Sequence, residues 1–328
     1  MNYYIDRSLY AIRKMYITLT RKKDFFIKHN PNAINGQEAS DLIYDTLLED
    51  KPCMICRFGS GELTTVLTYL TIRDKSKKYY SKIYNFFLGE MPPPFWSFRI
   101  KHNLCHIAGF FSSAEALLEA DLDKFSELYL DCMPNIDILG SWLFYEELVK
   151  EKMQNAKYVS LGLLEPYNHT LPWSRILKGK KVLVIHPLSG TIENQYKNRE
   201  KLFENQDVLP EFQLETIKAV QSIGGNIPEG YSNWFEALDG MKQQISQKDF
   251  DIALIGCGAY GFPLASYVKD IGKKSVHLGG ALQILFGIKG KRWELEYDYG
   301  TRLYNDFWVY STEDRPQNYK NIESGCYW

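Results

Sequence analysis

Residues 52–70, PCMICRFGSGELTTVLTYL, decide the fold class. From Cys53 to Cys56 the run is apolar without alternation, and it stops at Arg57. A strand that is apolar on both faces belongs to a parallel sheet covered on both sides. Gly59 and Gly61 bracket Ser60, and beyond Glu62 the residues Leu63, Val66, Leu67 and Leu70 recur at i, i+3, i+4, i+7. That is the period of a helix with one buried face. A buried strand therefore ends in a Gly-rich turn at the mouth of a helix. The amides at a helix start attract an anion, which gives Arg57 and Glu62 an electrostatic setting.

The pattern recurs along the chain. Strands are expected in KYVSLGLL (157–164), KKVLVIHPLSG (180–190), FDIALIGCG (250–258) and SVHLGG (275–280), and LPEFQLETIKAV (209–220) is expected to enter another. Helices are expected over SNWFEALDGMKQQI (232–245), where Trp234, Leu238, Met241 and Ile245 face inward, and over FPLASYVKDIG (262–272). Pro263 is tolerated in the first turn of the latter. Apolar strands alternating with helices imply an α/β, Rossmann-like parallel sheet flanked by helices. The expected organisation is an N-terminal basic aromatic helical segment over 1–48 and one domain over 49–328. Residues 71–135, with EMPPPFW, are expected to form an aromatic, Pro-rich insertion over the sheet edge.

Bulk composition narrows the function classes. The 328 residues are 45% hydrophobic with a net charge of -1. They can bury a full core, and they carry no field that would draw nucleic acid. Six cysteines do not make a disulfide framework. Cys53 and Cys56 form a CxxC inside an apolar strand, the setting of small buried hydrophobes. With neither a signal peptide nor an apolar run of the ~20 residues a membrane span needs, the expected setting is reduced and cytoplasmic. Residues 1–31 add seven Lys/Arg against two Asp, mixed with tyrosines and with Phe25 and Phe26. Tyr3, Arg7, Tyr10 and Lys14 share one helical face, and Leu9, Ile12, Tyr16 and Leu19 share another. Such a helix either rests on an anionic membrane surface, as a peripheral contact through residues 1–30, or packs on the domain.

Ligands of open parallel sheets bind where strands end at their carboxyl side. Here those ends are Arg57 to Glu62, LEPYNH (164–169), HPLSGTIENQY (186–196), GCGAYG (256–261) and HLGGALQ (277–283). GCGAYG matches GxGxxG but lies late in the chain, and the next strand ends in His277 rather than a ribose-binding acid. It reads equally as a close strand-to-helix turn. His186 and His277 each close an apolar strand, as catalytic groups or as hydrogen-bonded rim residues. Glu193 is a general base or a solvated first-turn carboxylate, and Glu62 is a site acid or a favourable helix-start charge.

RFGSGEL resembles the RFGDGE segment of bacterial glycosyltransferases of the D-type fold (GT-D), whose Asp-x-Glu motif serves a nucleotide-sugar donor. IGCGAYGFPLASYVKDIGKKSVHLGGALQILFGIKGKRW and the terminal ESGCYW are similar to segments of the same group, which is linked to surface polysaccharide synthesis. The resemblance spans roughly residues 50–328. It implies transfer of a sugar, from a donor such as a UDP-sugar, to a glycan or lipid-linked acceptor. The motif Asp is Ser60 here, so Asp-x-Glu becomes Ser-Gly-Glu. A hydroxyl is a poor ligand for a hard divalent cation. Manganese or magnesium is therefore expected to bind weakly or to be dispensable, with Glu62 the one candidate ligand.

On this reading the donor is held by Arg57, Gly59, Ser60, Gly61, the 258–260 backbone (Gly258, Ala259, Tyr260), His277, Gly279, Gly280 and Arg292. Glu62, Glu193 and His186 are the catalytic candidates, with Tyr260 and Trp173 stacking on base or sugar. A non-catalytic nucleotide-sugar-binding or scaffold subunit is the alternative that Ser60 raises.

Overall fold

The computed structural model describes residues 3–20 and 30–314, with Gly325 and Tyr327. Phe25, Phe26 and the remainder of ESGCYW lie outside the described residues. Among these, seven strands form the main sheet: β1 (Cys53–Cys56), β2 (Ile138–Ser141), β3 (Lys157–Ser160), β4 (Lys181–His186), β5 (Gln213–Lys218), β6 (Ile252–Ile255) and β7 (Lys274–His277). Their order is β3-β2-β1-β7-β6-β4-β5, and every pairing is parallel. The fold is α/β and Rossmann-like.

Burial explains which strands the apolar pattern marks. Every residue of β1, β2 and β6 is buried. The edge strands β3 and β5 expose several residues, and so their sequences read less plainly. Alternate side chains of a strand point to opposite faces. Met54, Cys56, Leu183, Ile185, Ala253 and Ile255 supply one core, while Cys53, Ile55, Val182, Val184, Ile252 and Leu254 supply the other. Cys53 and Cys56 are buried free thiols, and burial pushes Cys53 up to about 12.

The first core is covered by α3 (Ser60–Arg73), α6 (Leu118–Cys132), α8 (Trp234–Ser246) and α9 (Gly261–Asp270). Here the expectation for residues 71–135 is corrected. The segment's last part is not an insertion over the sheet edge, because α6 lies on the sheet face between α3 and α9. Its apolar residues Leu122, Phe125 and Tyr129 are spaced for that burial. Helix α6 leads into β2, which the sequence reading missed. The strand is four residues long, and Asp137 precedes it. That carboxylate accepts the Met54 N–H at 2.7 Å and the Lys269 ammonium at 2.6 Å, locking β2 beside β1.

Before α6, α4 (Tyr79–Phe87) and α5 (Phe98–His102) pack against α1 (Tyr3–Leu19). Helix α2 (Gly36–Leu48) joins the second core through Ala39, Ile43 and Leu47, so a boundary at residue 48 runs through a packed layer. Helix α7 (Ser189–Tyr196) follows β4. No helix among the described residues is long and apolar enough to cross a membrane. Ile43 is fully buried. Ile43→Ala should cost about 2–5 kcal/mol of unfolding free energy, read by urea denaturation of the full chain. An unchanged midpoint would detach α2 from the core.

Candidate functional site

The carboxyl ends of β1, β7, β6 and β4 open into one cleft of about 550 Å³. Order makes this happen: β1 and β7 are neighbours although far apart in sequence, so the Arg57 turn and the Gly279 turn meet. The Arg57 guanidinium lies 5.0 Å from the Trp142 ring centroid. Its Nε and Nη2 donate to the Phe58 carbonyl at 3.1 and 2.9 Å, and Trp142 Nε1 donates to the same oxygen at 3.0 Å. A guanidinium has five N–H groups. Two are held by Phe58, and among the described residues no side chain accepts the other three.

Helix α3 begins at Ser60 with Gly59 as its N-cap. The first amides of a helix have no partner within it, and Ser60 and Gly61 line the cleft. The Glu62 carboxylate folds back over Gly59, occupying the space a Cβ there would need. Burial raises the Glu62 carboxyl above its ordinary value, partly offset by Arg57.

His186 and His277 are buried cleft residues. Burial lowers each to about 3, and for His277 the Arg57 charge adds to the effect. Both rings are therefore neutral at pH 7. His186 Nδ1 accepts the Leu188 N–H at 3.0 Å, which leaves the ring proton on Nε2. In this state His186 offers a donor to the cleft and is not the base that strand-end position suggested. Glu193 is exposed, accepts from the Thr216 hydroxyl and does not line the cleft. Its role as the cleft's base is withdrawn as well.

The glycine loops divide by what fills them. A Cβ at Gly256 would meet the Gly279 carbonyl at 2.5 Å and His186 Cδ2 at 2.8 Å. A Cβ at Gly258, whose φ is +56°, would meet the Ala108 carbonyl at 2.7 Å, and Gly261 lies under the His277 ring. The amides of Ala259, Tyr260 and Gly261 donate to Ala108, Cys257 and Gly258 carbonyls. This turn borders the cleft, and of the 258–260 backbone expected to cradle a diphosphate the Ala259 and Tyr260 amides are bonded within the protein. The start of α7 is likewise closed: Asp314 accepts the Thr191 N–H at 3.0 Å.

The stacking expectations also change. Trp173 is fully buried and donates to the Leu164 carbonyl. Tyr260 is 1% exposed, stacked on Trp234 at 5.0 Å. Tyr260 still borders the cleft, and aromatic rings missed by the sequence reading line it too: Trp142, Trp293, Tyr297 and Tyr327. Trp142 follows β2, so finding that strand would have found it. Asn103, in the misread 71–135 region, lines the cleft too. Arg292 lines it beside Gly279 and Gly280, donates to the Tyr327 hydroxyl at 3.0 Å and pairs with Glu296 at 3.5 Å.

Glu165 is buried away from the cleft lining, where Tyr299 and Asn168 donate to it. The carboxylates that line the cleft are Glu62, folded on Gly59, and Glu296, paired with Arg292. Among the described residues no three His, Cys, Asp or Glu cluster as ligands. One carboxylate and one hydroxyl at the α3 turn do not fit a hard divalent cation. No family model, curated protein or solved structure matches this chain.

A histidine whose folded pKa lies below its unfolded value contributes stability that is present above about pH 6.5 and is lost as pH falls toward the folded value. His186 and His277 act in this sense, while the raised carboxyls of Glu62, Glu146 and Glu165 act oppositely. The histidine component is read directly by long-range ¹H–¹⁵N spectra. His186 should stay neutral, with its proton on Nε2, from about pH 8 down to about pH 5, where a free imidazole is mostly charged. Titration near pH 6.5 would contradict its burial.

Proposed function

We propose that the cleft holds a nucleotide-sugar donor and that the protein transfers the sugar to an acceptor hydroxyl. The observation that carries this is the Arg57 guanidinium, held by the Phe58 carbonyl and the Trp142 face, with three N–H groups that no described side chain accepts, in the cleft that Ser60 and Gly61 at the start of α3 also line. A planar fork of donors suits a diphosphate. The cleft volume falls within the range of small-molecule sites. Trp142, Trp293 and Tyr297 supply ring faces for a base or sugar. The RFGSGEL resemblance supports the same donor class, with a glycan or lipid-linked acceptor in surface polysaccharide synthesis. Peripheral membrane contact fits this reading through Ile5, Ile12, Met15 and Leu19, which are exposed on α1.

In the transfer the acceptor oxygen bonds to the anomeric carbon as the bond from that carbon to the phosphate oxygen breaks. The diphosphate leaves with the electron pair, against Arg57 and the α3 amides. Glu62 takes the hydroxyl proton, a task its raised pKa suits. Arg57→Lys should weaken uridine diphosphate binding about tenfold, ~1.4 kcal/mol, because an ammonium cannot reproduce the fork. Calorimetry in chelator measures it, and equal affinity would remove Arg57 from the donor site.

The second reading, nucleotide-sugar binding without transfer, is favoured by one observation: among the described residues Glu62 is the sole cleft carboxylate outside an ion pair, and it is turned onto Gly59. Glu62→Gln separates the two. On the transfer reading it should lower turnover of a radiolabelled UDP-sugar at least about a hundredfold, the lower end of general-base contributions, with diphosphate affinity kept. Absence of turnover in the wild type, with binding intact, would select the second reading.

A further inference from the structure

We infer that a second cavity, of about 710 Å³ between α1 and α5, receives a phosphate-bearing part of the acceptor. This rests on the reading of the first cleft as the donor site. Arg7, Arg13 and Lys14 of α1 and Arg99 of α5 line it, against Asp6 as the single acid among the described lining residues. His102, the other titratable ring there, is lowered by burial and by His106, and is neutral at pH 7. Four cations facing one carboxylate around a cavity favour a multiply charged oxyanion, and phosphate esters and diphosphates match the donor geometry of arginine.

Arg13, which is buried, and Arg99, which is exposed, are held in place. Arg13 is 7% exposed, donates to the Tyr145 hydroxyl at 3.3 Å and lies 5.0 Å from the Phe86 ring centroid. Arg99 lies 5.1 Å from the Tyr10 centroid, and its backbone N–H is accepted by Asp6 Oδ2 at 3.2 Å. Asp6 is 2% exposed, and its Oδ1 has no protein hydrogen bond. It is therefore an unsatisfied polar atom at the cavity wall, suited to a hydroxyl of the occupant.

Position links the cavity to the reaction. Ser60, Gly61 and Asn103 line both this cavity and the donor cleft. The start of α3 is the wall between them, so an occupant of the second cavity meets the donor across Ser60 and Gly61. The same face, Tyr3, Arg7, Tyr10 and Lys14, was legible in the sequence as a basic aromatic stripe. It lines the cavity beside α5, and the apolar residues Ile12, Met15 and Leu19 are exposed elsewhere on α1.

The test uses the full chain with its first cleft saturated by uridine diphosphate, titrated with inorganic pyrophosphate. One equivalent should bind, and Arg7→Glu/Lys14→Glu should weaken it at least tenfold while leaving uridine diphosphate affinity unchanged. Arg7→Gln/Lys14→Gln, a milder pair at exposed positions, serves if the reversals unfold the chain. Pyrophosphate that merely competes with uridine diphosphate, or binds both variants as tightly as wild type, overturns the inference. If uridine diphosphate does not bind at all, the donor reading fails by itself, whatever pyrophosphate does. Vesicles separate the sources: a lipid-borne acceptor predicts charge-dependent binding to vesicles holding a long-chain isoprenyl diphosphate, and a soluble acceptor predicts none. Equal loss of binding to these and to plain phosphatidylglycerol vesicles would make the cations a surface patch and overturn the cavity.

Discussion

The Phe58 carbonyl oxygen accepts Arg57 Nε, Arg57 Nη2 and Trp142 Nε1 together, and the site is organised around that convergence. It joins the end of β1 to the residue that follows β2. A hydrogen bond from a charged donor contributes about 1.5–3 kcal/mol net, enough to hold a long side chain in one orientation. Trp142 is fixed from its other side as well. Buried Glu146 accepts its N–H at 3.2 Å and that of Leu143 at 3.1 Å. The ring can then support the guanidinium without itself being mobile.

Electrostatics follow from this arrangement. Arg57 is a permanent charge at the cleft floor, and it shares in keeping His277 neutral. His186 is neutral through burial. The α3 N-terminus adds partial positive charge of its own. Glu62 balances it by lying over Gly59, where glycine is needed for room and not for an unusual φ. An anion that enters the cleft competes with Glu62 for the α3 amides, so the carboxylate's position and ligand occupancy are coupled through a single helix turn.

Strand order adds the other half of the architecture. Because β7 pairs with β1, Gly279 can approach Arg57, and at φ +62° it carries no side chain between them: a Cβ there would lie 3.5 Å from Arg57 Nη1. Because β6 sits between β4 and β7, the Gly256 turn packs under His186 and over the Gly279 carbonyl. The glycines at these ends thus serve chain-to-chain approach across the sheet, and the cleft is the space left beyond them.

The α/β class, most of the strands and the strand-to-helix turn at Arg57 were legible in the sequence. They depend on local periodicity: Cys53–Cys56 and Ile252–Ile255 are apolar because both faces are covered. Strand β2 escaped because four residues preceded by a half-buried aspartate carry too little pattern. Helix α6 shows the expected period, yet its place on the sheet face depends on β2 lying next to β1. The similar-looking loops at 57–62, 186–196 and 256–261 could not be ranked from residue types. Only the tertiary structure bonds the Ala259 amide to Ala108 and the Thr191 amide to Asp314, leaving the first α3 amides facing the cleft. The physical reason is that burial periodicity is written in neighbouring residues, whereas an amide's partner is chosen by whichever distant segment the fold brings against it.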